Sequence, residues 1–181
     1  ETTCNRIVTS WQTDYLRTFI ANDGTAAGSS ISLLYNAFVK DYENLKNYKV
    51  ELPAGLTAGQ AGPEPGLVEA YYSGLSRTLL VAHFNSIKNI WEGLSRDGAE
   101  LIGFRGWLEA LVGGPELVTQ TREAIQQIEQ ALAVLPDRSL SEQADSPALS
   151  ELRDYLQANT ANFKSSMSSL LGISITFNSG D

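Results

Sequence analysis

Along most of the chain apolar residues recur every three or four positions, the period of a helix that buries one face. The opening segment sets Ile7, Trp11, Tyr15 and Phe19 four apart and stops at Asn22-Asp23-Gly24, a helix-end and turn signature. Ser29-Ser30 can cap a second helix whose inner face is Ile31, Leu34, Phe38, Tyr42 and Leu45, and which should end before Pro53. Residues 53 to 66 hold three of the six prolines and several glycines, so they read as a long irregular connection, a kind that is often functional. A third helix is predicted from about Leu67 to Leu94, with Gly74 inside it allowing a kink or a close helix contact.

After Asp97-Gly98, Phe104 to Leu108 reads as a short helix that stops at Gly113-Gly114. Pro115 is placed as the first residue of a fourth long helix, with Val118, Thr121, Ile125, Ile128, Leu132 and Leu135 facing inward and Pro136-Asp137 ending it. A polar linker, Ser139 to Ser146, leads to Pro147 and a last helix with Leu149, Leu152, Leu156, Asn159, Phe163 and Leu170 on its face. The tail Ile173 to Phe177 alternates apolar and polar residues like a short extended segment. The pattern predicts an all-α protein. It is a single domain over residues 1–181, an up-and-down four-helix bundle with a short extra helix and a long Pro/Gly-rich connection.

Within the third predicted helix, Glu69, Ser73, Ser76 and His83 fall at offsets of zero, four, seven and fourteen. Such spacing lines them along one stripe together with Leu80 and Ile87, so polar groups point towards apolar surface and must find partners. Neighbouring helices satisfy them, or a ligand does. Each residue also has a plain structural role open to it. Glu69 in a first turn meets the helix dipole, the two serines allow close helix packing, and His83 suits a partly buried imidazole bonded to a backbone group or carboxylate. Arg77 leans off the stripe as a solvated charge, or as a partner for Glu69 or an anion. Asn159 suits a register-fixing polar core position, and Trp11, Trp91 and Trp107 read as core or lining.

Composition narrows the chemistry. Hydrophobic residues make up 43% and charged ones 19%, a globular balance that excludes general disorder. A formal charge of −8 with no basic run argues against nucleic acid as a partner. The single cysteine, Cys4, excludes an internal disulfide and a cysteine-based metal cage. So few thiols fit the cytoplasm or a bacterial envelope equally well. No apolar run approaches the roughly 20 residues of a membrane span. A start at Glu1 reads as a processed, truncated or excised chain with no signal segment in view. One histidine rules out the paired Glu-x-x-His motifs of a di-iron bundle and the His-Glu-x-x-His of a zinc peptidase. Cys4 and His83 would make a nucleophile pair only if the fold joined them, so self-contained catalysis is not expected.

Three strings carry a resemblance. Lys49-Val50-Glu51-Leu52-Pro53-Ala54-Gly55 is followed by Val68-Glu69-Ala70-Tyr71-Tyr72-Ser73-Gly74-Leu75-Ser76, and the chain closes on Leu170-Leu171-Gly172-Ile173-Ser174-Ile175-Thr176-Phe177-Asn178-Ser179-Gly180-Asp181. In order and spacing, from about Trp11 to Asp181, these are similar to the second half of imelysin-like proteins, a group of iron-regulated envelope proteins and relatives of a periplasmic iron-uptake component. The resemblance implies two packed helical bundles with a site where they meet. This chain would be the C-terminal one, in the periplasm or cell envelope, tied to the membrane only through a lipid anchor outside it. It implies an interdomain half-site of Glu69, Ser73, Ser76 and Arg77, with Tyr72 and His83 beside them, and a strand-like end to the chain. Implied partners are the N-terminal bundle of the same protein and iron-uptake components of the envelope. No cofactor is expected in this chain, and iron is expected in the full-length protein. The family's Gly-x-His-x-x-Glu motif is absent, since His83 sits in Val81-Ala82-His83-Phe84-Asn85-Ser86, so its peptidase label is not carried over. Three readings stand side by side: part of an iron or haem-iron acquisition protein, a metallopeptidase fragment, and an interaction bundle without a small ligand.

Overall fold

Two serines mark where the bundle starts and where its last arm starts, in a computed structural model that describes residues 2–95 and 97–177. Ser29 accepts a hydrogen bond from the Ser32 N–H at 3.2 Å and opens α3 (Ser30–Asn44). Ser146 accepts one from the Leu149 N–H and opens α8 (Pro147–Ala161). Both place a side-chain oxygen where the first turn of a helix has unpaired donors. α3 runs on without a break through a widened π-helical segment, Leu45–Glu51, into α4 (Leu52–Ala54). α8 does the same through a second π segment, Asn162–Ser166, into α9 (Met167–Leu171). α5 (Ser76–Glu92), the short α6 (Phe104–Glu109) and α7 (Gly114–Val134) complete the bundle. α1 (Thr2–Gln12) and α2 (Asp14–Ala21) precede it.

α7 lies along α8, the widened part of α3 packs on both α8 and α5, and α6 bridges α5 and α7. The core sits among these four arms as the sequence predicts, and among the described residues the chain has no strand, only an isolated bridge from Leu94 to Glu100. Phe163, in the second π segment, is its hub. Its ring meets Phe38 and Tyr42 edge-on at centroid distances of 5.0 Å and Trp91 at 5.7 Å. Such edge-to-face contacts suit the charge distribution of aromatic rings. The buried phenols of Tyr35 and Tyr42 donate to the Phe163 and Leu156 carbonyls, so no hydroxyl is stranded. Burial pushes both phenols well above the usual tyrosine range.

Several expectations are corrected. The third helix begins at Ser76, not Leu67. Residues 65–75 instead hold two short 3₁₀ turns, Pro65–Leu67 and Tyr71–Ser73, and Gly74 is the left-handed stop of the second. Apolar Leu67, Val68, Tyr71 and Leu75 imitate a helical period there, but Ala70 and Gly74 both lie in the left-handed region, which no helix tolerates. The helix that starts as α3 passes Pro53 rather than ending before it: the proline follows directly on the π segment, where the Leu52 N–H already reaches back five residues to the Asn47 carbonyl and the regular i to i−4 pairing is interrupted. On α3 the buried position is Tyr35 and not Leu34. On the last arm the widened turn moves the inner face from Leu170 to Met167 and Leu171. Trp11 is exposed, and no residue of α1 or α2 is buried. The tail Ile173–Thr176 makes no strand. Asn36 pins it instead, donating to the Ser174 carbonyl at 3.0 Å and accepting from the Thr176 N–H at 2.7 Å. Residues 178–181 of the quoted C-terminal string lie outside the described residues.

Candidate functional site

The long connection after α4 is ordered by its own side chains. Gln60 donates to the Leu52 carbonyl at 2.9 Å and to Glu64 at 2.8 Å, and the Glu64 N–H returns to the Pro53 carbonyl at 2.9 Å. Buried Val68 then anchors the chain, and a sharp bend follows. Ala70 has φ 55°, making it the one non-glycine in the left-handed region among the described residues, and Gly74 has φ 69°. Between them the N–H groups of Ser73 and Gly74 and the Ser73 hydroxyl all converge on the Ala70 carbonyl, at 3.1, 3.1 and 3.0 Å. The bend presents the Tyr71 and Tyr72 rings edge-to-face at its tip, with Tyr72 fully exposed.

Beside the bend, Lys49 Nζ donates to Glu69 Oε2 at 2.5 Å. Lys49 comes from the widened segment of α3, so the contact ties the two parts of the chain across the irregular connection. The pair lines a cleft of about 380 Å³ with Asn44, Tyr48, Leu52 and Leu67. On the other flank of the same widened turn lies a polar cleft of about 480 Å³ that shares Tyr48 and Leu52. There the almost fully buried Glu43 and Lys46 are 3.3 Å apart, Lys164 is 3.6 Å from Glu43, and Lys46 Nζ donates to Gln157 at 2.6 Å. Burial pushes the Glu51 carboxyl up, against the pull of Lys46 and Arg153.

The predicted site residues do not share a stripe. Glu69, Tyr72 and Ser73 lie on the bend, ahead of α5. Ser76 is 1% exposed, and its hydroxyl meets Ser139 Oγ at 3.0 Å and accepts from the Leu140 N–H at 2.8 Å, splinting the start of α5 to the 3₁₀ turn Leu140–Glu142. Arg77 spans the same junction, donating to the Leu135 carbonyl at 3.1 Å and to Asp137 at 3.0 Å. His83 Nε2 lies 2.8 Å from Asp41 Oδ2 and joins α5 to α3. The bend thus gathers Glu69, Tyr72 and Ser73, while Ser76, Arg77 and His83 each bridge packed elements.

Lys49, Tyr48 and Tyr71 belong to the candidate face without having been singled out from the sequence. The signal for Lys49 was its place in the string leading to Pro53. Among the described residues no group of three or more His, Cys, Asp or Glu side chains could hold a metal ion. Glu69 is the only carboxylate lining its cleft and is already paired with an ammonium, so the residues of this face do not by themselves fit an iron ion.

These features define a helical-bundle protein whose candidate site is an open face with a paired charge and exposed tyrosines. The imelysin family model, a peptidase family by its name, matches residues 2–167, and the chain belongs to that family. No curated protein and no solved structure matches it.

Proposed function

We propose that this chain forms one wall of an iron- or haem-iron-binding site in a bacterial envelope protein, with a second bundle of the same protein as the opposite wall. The observation that carries this reading is the Lys49–Glu69 contact, which joins two of the three strings that resemble imelysin-like proteins into one surface feature. Imelysin family proteins are generally exported envelope proteins, and among the described residues no helix is long and apolar enough to cross a membrane. Glu69 supplies a hard oxygen donor and the exposed Tyr71 and Tyr72 supply phenols. Further donors come from the facing wall, because a first-row metal held by oxygen ligands needs more of them than this face offers. Lys49 neutralises Glu69 in this chain, and Glu69 would be the residue of this wall that holds the cation, with Lys49 as its competitor.

Titrating iron(III) into the full-length protein tests the reading. Glu69→Ala should weaken binding at least tenfold, and equal affinity overturns the role of Glu69. Lys49→Ala, which removes the competing cation, should leave binding intact or tighten it. A second reading, an interaction bundle without a small ligand, draws on the exposure of Tyr48 and Leu67 beside the pair and of Tyr71, Tyr72 and Leu75 along the bend. It predicts that the full-length protein binds no iron at all, and that charge introduced at Tyr72 weakens only protein–protein association.

A further inference from the structure

α1 and α2 present their apolar residues to solvent. Cys4, Ile7, Val8 and Trp11 share one face of α1, and Tyr15, Leu16, Phe19 and Ile20 continue across the kink at Thr13. The kink draws the aromatics together, with Trp11 and Tyr15 centroids 4.7 Å apart and Trp11 and Phe19 5.2 Å apart, although the latter two are eight residues apart in sequence. A helix with one apolar face requires something to cover it. Elsewhere on the molecule, the corner between α5 and α6 holds an apolar groove of about 520 Å³. Leu34, Ile90, Leu94, Leu101, Ile102 and Trp107 line it, and Ile102 is 88% exposed.

No residue of α1 or α2 lines the groove of its own chain, and the connection between α2 and α3 sets where the strip lies. Asn22 Nδ2 donates to the Gly28 carbonyl at 2.9 Å, Ser29 Oγ to the Gly24 carbonyl at 2.8 Å, and the Ser30 N–H to the Asn22 carbonyl at 2.9 Å. With Gly24 and Gly28 at φ 86° and 87°, these bonds close residues 22–30 into a fixed bend that sets the direction in which α2 leaves. The kinked helix α1–α2, none of whose residues is buried, is thereby left uncovered by its own bundle and available to another.

We propose that the apolar strip of α1–α2 docks into the α5–α6 groove of a second copy of this chain, and that the exchange is reciprocal. A two-fold exchange buries both surfaces of both copies and closes the assembly, the economical geometry for a homodimer. The size fits. Eleven of the apolar side chains of strip and groove are each 38% to 88% exposed, roughly 80–100 Å² apiece, so their full burial would cover on the order of 1,000 Å² per copy against the ~800 Å² per partner of a standard interface.

Sedimentation of the whole chain should show a dimer that dissociates on dilution. Trp11→Glu in the strip and Ile102→Glu in the groove should each raise the dimer dissociation constant about 100-fold, the scale of losing a central anchor. Circular dichroism of both variants should stay unchanged, since neither residue is buried in the monomer. Cys4 makes the geometry readable. Mixing the native chain with a Cys4→Ser, Ile102→Cys chain should give a disulfide between the two, and a Cys4→Ser, Val134→Cys chain, altered outside the groove, should not. A chain that stays monomeric at every concentration overturns the proposal. So does a dimer that only Trp11→Glu disrupts, since strip would then pair with strip. A monomeric full-length protein whose Trp11 is shielded from quencher also overturns it, because another part of that protein would be the cover.

Discussion

Ala70 holds a backbone conformation that a glycine adopts freely and an alanine adopts at a cost of about 1 kcal/mol. Ala70→Gly should therefore raise stability to chemical denaturation by up to about 1 kcal/mol, and the β-branched Ala70→Val should lower it by more. Strain of this kind persists where the surroundings fix it, and here three hydrogen bonds to the Ala70 carbonyl do so. Ser76 makes a different case. Ser76→Ala would strand the Leu140 N–H in a buried junction and should cost about 1–3 kcal/mol by equilibrium unfolding, which marks it as a packing serine rather than part of the exposed bend. Glu51 carries a pH signature. Burial holds its carboxyl above the ordinary range, so the fold binds that proton more tightly than the unfolded chain does. The resulting stability is whole below the ordinary carboxyl range and is lost as pH rises through the raised value. Glu51→Gln should raise the thermal midpoint near neutral pH and leave it unchanged in acid, a difference that paired melts will show.

At the scale of elements, legibility followed the strength of the local signals. α7 and α8 could be read because Pro115 and Ser146-Pro147 mark their starts and because Ile125, Ile128, Leu149, Leu152 and Leu156 keep the period without interruption. The start of α5 could not, since Leu75 offers no side-chain cap and the apolar residues before it keep helical spacing through a bend that is not helical. The π segments left no mark in composition. They showed only in their effects, the passage of Pro53 and the transfer of burial from Leu170 to Leu171. Nor could the sequence distinguish a helix that covers the core from one such as α1, because an apolar face does not name its partner. The contact between Lys49 and Glu69 escaped for the same reason, as it joins an element to a loop twenty residues away. Close approach between elements gives a further test. A Cβ on Gly114 would stand 1.7 Å from the Leu108 carbonyl oxygen, where α6 turns into α7. Gly114→Ala should cost about 3 kcal/mol by equilibrium unfolding, because backbone and not a flexible side chain has to move.

For the whole molecule, cohesion is concentrated in the four bundle arms, and α1–α2 contributes nothing to the core. A chain lacking residues 1–21 should retain its cooperative unfolding and lose less than about 1 kcal/mol when compared with the intact chain as a dilute monomer. The arrangement also fixes how the protein emits light. Trp91 is sealed in the interior against Phe163, while Trp11 faces water between Tyr15 and Phe19 and Trp107 lies half-covered by the groove. In the dilute monomer acrylamide should reach Trp11 readily and Trp91 hardly at all, leaving a blue-shifted residual emission from the interior. One fluorophore then registers whether the bundle is intact, and another registers independently what touches its outer helices.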